Sequence, residues 1–143
     1  MNKNRVAYSG LAIALLLIGM AIYLLFRDLS NMLMFKWIKK PSFAEQALLP
    51  LEPSILSNTL KFHVPDVLWF VSAIMLFRVI WFYNLRMQKR YVVCFICFAV
   101  FFEAIQVLDT VPGTFDWLDL LGMGIGAFFE SLFYKKVFRR KLI

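Results

Sequence analysis

Glu103, Gln106, Asp109, Asp116 and Asp119 fall within a stretch, Glu103 to Gly126, that is otherwise apolar enough to lie in a bilayer. Ionisable side chains are expensive there, so they mark either a functional site or a buried partner. Carboxylates gathered in a low dielectric resist ionising together, so one keeps a proton or a cation settles among them. Such a set suits a hard cation such as Mg²⁺ or Ca²⁺, a cationic head group or amine, or general acid and base chemistry. It equally suits a structural role, in which Glu103, Gln106 and Asp119 hydrogen-bond one another and nearby helix ends. No loop spacing matches a metal signature, so neither a metal nor a cofactor is assigned.

Other polar residues carry less. Cys94 and Cys97 form C-x-x-C inside an apolar run without histidine partners, which reads as packing. His63 is expected in a loop beside Asp66, where solvent exposure is favoured over a ligand role. Gly122-Met123-Gly124-Ile125-Gly126 lacks the Lys-Ser/Thr of a phosphate loop, and Gly122-x-x-x-Gly126 instead permits close approach of helices, within the chain or between copies. Arg78 and Glu130 each interrupt an apolar run; a buried ion pair between them, or snorkelling of each to the interface, would explain their tolerance.

The elements that position these residues follow from hydropathy and charge. The 143 residues are 62% hydrophobic and 17% aromatic, with a mean hydropathy of +0.72, whereas a soluble domain is about 45–50% apolar. Val6 to Phe26 carries no charge and spans about 31 Å as a helix, enough for the hydrocarbon core. It follows MNKNR like a signal sequence, but it lacks a small-residue cleavage site and reads as a retained anchor. Residues 67–85, 91–108 and 117–134 have spanning length, each with an ionisable residue inside. The fold expected is an all-α membrane protein of four transmembrane helices, 6–26, 67–85, 91–108 and 117–134, forming one domain over 1–143.

Ten of the sixteen basic residues fall at one side of this arrangement: Lys3, Arg5, Arg86, Lys89, Arg90, Lys135, Lys136, Arg139, Arg140 and Lys141. The positive-inside rule then places both termini and the Arg86–Arg90 turn on the cytoplasmic side of the membrane. The net charge of +7 belongs to these flanks, and no basic surface interleaved with aromatics points to nucleic acid. The long outer segment 27–65 mixes Leu29, Met32, Leu33, Phe35, Trp37 and Ile38 with Lys36, Lys39 and Lys40, which suits one or two helices lying in the interface. Residues 54–63 are expected as a short horizontal piece before Pro65 and Asp66 open the second helix. At about 1.5 Å per residue, Asp66, Glu103, Gln106, Asp116 and Asp119 come to a similar outer depth. By the same rise, Arg78 and Glu130 share a depth near the opposite face.

The pattern Glu103-x-x-Gln106, a short loop, Asp116-Trp117-Leu118-Asp119 and then Gly122, Gly124 and Gly126 resembles the VanZ-like family of small bacterial membrane proteins. The Pro65-Asp66-Val67-Leu68-Trp69 opening also resembles the family's second helix, and the similarity covers roughly 64–130. It departs at Gly113 and Met123, where many members carry arginine and asparagine. The best-known members are linked to glycopeptide resistance. The resemblance implies an integral membrane protein of the bacterial inner membrane; joined to the shared depth of Asp66, Glu103, Gln106, Asp116 and Asp119, it leads to the expectation that these residues bind a lipid-linked, cationic or glycopeptide-like ligand of the cell envelope. Two alternatives stay open. One is an interaction subunit of a membrane complex or homo-oligomer, packed through Gly122 and Gly126. The other is a membrane enzyme of envelope-lipid or cell-wall metabolism with Glu103 and Asp119 as acid and base, a reading less favoured than binding.

Overall fold

The computed structural model describes residues 3–26, 54–108 and 115–138. Among these, the chain is helical and forms no strand. The interfacial helices expected within 27–53 lie outside the described residues, as do Asp109, Gly113 and the basic run Arg139-Arg140-Lys141. Four helices carry the fold: α1 (Lys3–Phe26), α2 (Ile55–Ile80), α3 (Leu85–Ile105) and α4 (Trp117–Phe138). Two of them, α1 and α2, are long and apolar enough to cross a membrane. Both α3 and α4 carry charges near their ends and do not meet that test.

α2 differs from the sequence expectation at both ends. Ser54 opens it with a reciprocal cap, in which the Ser57 amide donates to Ser54 Oγ at 3.0 Å and the Ser54 amide to Ser57 Oγ at 2.9 Å. The segment before Pro65 is therefore no separate horizontal piece but the first turns of a continuous helix. Proline inside a helix lacks the amide proton and crowds the carbonyl four residues back. Thr59–His63 absorb this in one wide π turn, where the Val64 amide donates to the Thr59 carbonyl. At the other end α2 stops at Ile80, and Trp81–Tyr83 turn the chain within the span expected to continue to residue 85. Asn84 then caps α3, its side chain accepting from the Met87 amide at 3.0 Å. Arg86, Lys89 and Arg90 thus lie in the opening turns of α3 rather than in a loop.

α2 is the centre of the bundle, with α1, α3 and α4 each packed against it. α1 approaches closely because its contact stripe includes Ala12 and Gly19. A Cβ on Gly19 would lie 2.7 Å from Trp69 Nε1 and 3.3 Å from the Pro65 carbonyl oxygen. Across this seam Ser72 Oγ donates to the Ala12 carbonyl at 2.8 Å and Trp69 Nε1 to the Leu16 carbonyl at 3.2 Å. Polar bonds between helices of this kind hold bundles where lipid removes the hydrophobic drive for association. α4 approaches on another side, where Cβ atoms at Gly122 and Gly126 would lie 2.6 and 2.7 Å from Cγ2 of Val67 and Val71. Gly122 and Gly126 thus meet α2 within the chain. Tyr8, Ala12, Met75, Tyr134 and Phe138 pack one half of the interior, and Phe70, Ile74 and Val92 pack the other.

Candidate functional site

The acidic residues gather where the end of α3, the start of α4 and the π turn of α2 meet. Glu103 and Gln106 are three apart and share a helix face, and Gln106 Nε2 donates to Glu103 Oε2 at 3.1 Å. The other carboxylate oxygen, Oε1, accepts from the Asp116 amide at 3.3 Å, tying α3 to the start of α4. Asp116 in turn accepts from the Leu118 amide at 2.8 Å, which caps α4. Asp119 sits in the first turn, where a helix dipole favours negative charge.

His63 completes this arrangement and is not the exposed loop residue expected from sequence. The continuous α2 carries it inward, leaving its side chain 16% exposed. Its Nδ1 lies 2.6 Å from Asp119 Oδ1, and its Nε2 lies 3.6 Å from Asp116 Oδ2. The imidazole therefore spans two carboxylates at the α4 N-terminus. No periodicity in the sequence marks this role; the only signal was its position three residues before Asp66 on what proves to be the same helix.

Beside this cluster, a cleft of about 470 Å³ opens between α2, α3 and α4. Asp66, Glu103, Gln106 and Asp119 line it together with the apolar Phe70, Ala73, Phe95, Ala99 and Met123. Four of the five acidic-pocket residues named from sequence thus share one cavity. Asp116 belongs to the same cluster through its amide and its contact with His63 rather than to the cavity wall. Among the described residues, no three His, Cys, Asp or Glu side chains stand close enough to hold a metal ion. Carboxylates above an apolar floor suit a ligand with a cationic or hydrogen-bonding head and a greasy body.

A second polar group lies in the other half of the bundle. Arg78 Nε stands 2.8 Å from Glu130 Oε1, with side-chain exposures of 13% and 1%. The Tyr8 hydroxyl donates to the same carboxylate, and Arg78 also donates to Ser131 Oγ at 3.0 Å. The guanidinium carbon lies 4.4 Å from the centre of the Tyr134 ring. Gln88 Nε2 donates to the Tyr134 hydroxyl and to the Arg78 carbonyl, each at 3.0 Å. Tyr8, Gln88, Ser131 and Tyr134 were not distinguishable as partners from sequence, since nothing local says which hydroxyls and amides will face a buried charge. Cys94 and Cys97 are free thiols on the exposed face of α3.

No family model, no curated protein and no solved structure matches the chain.

Proposed function

We propose that this is a four-span protein of the bacterial cytoplasmic membrane, related to the VanZ-like family, that binds a cell-envelope ligand in the cleft between α2, α3 and α4. The observation that carries the reading is the cleft itself, with Asp66, Glu103 and Asp119 above Phe70, Phe95 and Met123. A lipid-linked or amphiphilic molecule with an amine or ammonium head matches both parts, through charge at the mouth and apolar contact below. Support for spanning by α3 and α4 comes from their surfaces: Phe98, Phe101, Leu121, Phe128 and Phe129 are all exposed. Soluble monomers rarely leave contiguous apolar faces of this kind in water. With Lys3, Arg5, Arg86, Lys89, Arg90, Lys135 and Lys136 at one end of the bundle, the positive-inside rule turns the acidic cleft outward.

The test uses the purified protein with an alkyltrimethylammonium amphiphile and a zwitterionic amphiphile of equal chain length. The ammonium compound is expected to raise the melting temperature of the wild type selectively, and Glu103→Gln with Asp119→Asn to lose that rise while melting near the wild type alone. Equal stabilisation of wild type and variant by both amphiphiles refutes the cleft.

A second reading rests on a specific observation: Glu103, Asp116, Asp119 and His63 all bond to one another or to helix ends. On that reading the polar cluster only joins α2, α3 and α4. Loss of the folded protein in both single variants would favour it.

A further inference from the structure

At the opposite end of the bundle from the acidic cleft, residues of α1 and α4 line a groove of about 970 Å³ that no part of the reading above uses. Ala7, Tyr8, Leu11, Leu132, Phe133 and Val137 form its walls, and Asn4, Lys135 and Lys136 stand at its rim. The ends of the two helices are pinned together by Asn4 Nδ2, which donates to the Val137 carbonyl at 3.1 Å. Tyr8 is fixed in the wall by stacking on Phe133, with ring centres 5.9 Å apart. Both lysines are exposed, and neither forms an ion pair among the described residues. Arg5, by contrast, is drawn away over the rings of Phe82 and Tyr83 at 5.6 and 5.3 Å.

We infer that this groove is a binding site for one anionic phospholipid of the inner leaflet, of the phosphatidylglycerol class. The phosphate sits against Lys135 and Lys136 and an acyl chain lies along Leu11, Leu132 and Phe133. Charge complementarity selects the occupant: a basic rim above an apolar trough between membrane helices, on the side that positive charge marks as cytoplasmic, matches an anionic head with a hydrocarbon tail. The inference uses the four-span placement but not the outward cleft, and it stands or falls independently of any ligand there.

Native mass spectrometry of the full chain, released from nanodiscs of equal phosphatidylglycerol and phosphatidylcholine, reads the site directly. Wild type is expected to retain one phosphatidylglycerol in preference to phosphatidylcholine. Each lysine near an anionic head is worth about fivefold, so Lys135→Gln with Lys136→Gln should cut the preference by about 25-fold. The control Lys89→Gln with Arg90→Gln removes the same charge from the same end at α3 and should leave it unchanged. Equal loss in both pairs would show a general surface attraction and overturn the groove, as would full retention in the lysine variant. Ala7→Phe, which fills the trough without altering charge, should also displace the lipid; retention there overturns the acyl placement. Release of wild type from membranes by alkaline carbonate would instead sink the four-span reading itself.

Discussion

Arg78 and Glu130 allow the structure to be tested by a single thermodynamic cycle. The Glu130 side chain is 1% exposed and its carboxylate faces both Arg78 and the Tyr8 hydroxyl. Arg78→Met keeps much of the stem but leaves that carboxylate with only neutral partners. Glu130→Met leaves the guanidinium with the Ser131 hydroxyl and the Tyr134 ring. Breaking one side of a buried pair costs about 3–5 kcal/mol, because the surviving charge is stranded. The double variant strands no charge and leaves hydroxyls short of a partner, a cost of about 1–3 kcal/mol. If the single costs simply added, the double would lose about 6–10 kcal/mol. The expected coupling is therefore at least about 3 kcal/mol, at the upper end of measured cycles. Reversible unfolding in mixed micelles by sodium dodecyl sulfate, followed by far-ultraviolet circular dichroism, measures all four corners. Additivity within about 0.5 kcal/mol would refute the argument. It would mean that Arg78 finds its solvation at the membrane interface and that the two groups do not hold each other.

Two further predictions address the glycines and the spans. Gly122→Leu and Gly126→Leu should each destabilise the lone protomer by about 1–3 kcal/mol through collision with Val67 and Val71. A Cβ at Gly124 meets nothing within 4 Å, so Gly124→Ala should leave stability near wild type when all three variants are compared by thermal unfolding. A dissociated oligomer with an unchanged protomer at residue 126 would reverse that assignment. Cys94 and Cys97 are exposed on α3, and a water-soluble maleimide does not reach a thiol that faces hydrocarbon. In intact membranes both should resist maleimide and react only after denaturation; prompt labelling would place that face of α3 in water.

Much of the outline was legible before any folding. A charge-free run marks α1, and spacing at three residues puts Gln106 beside Glu103, because both depend only on hydropathy and helical pitch. Rise per residue likewise brought Arg78 and Glu130 to one depth, within reach of each other once their helices were adjacent. Helix ends were less legible: the π turn that carries the helix through Pro65 and the Asn84 cap that starts α3 early are decided by single local bonds rather than by periodicity.

Periodicity also says which face of a helix is special but never which helix stands opposite. Gly122 and Gly126 showed a close-approach face from sequence, yet only packing against Val67 and Val71 settled that its partner is α2. His63 became part of the acidic cluster because α2 continues through Pro65 and turns the imidazole toward α4, a consequence no window of the sequence contains. Tyr8 meets Glu130 across 122 positions of chain. The amino-acid order alone thus marked the helices and the position of their charges along each helix, since both arise from local chemistry and a fixed rise. Which charges meet, and what closes around them, was decided only when three helices packed on α2, since that contact depends on shape across the whole bundle.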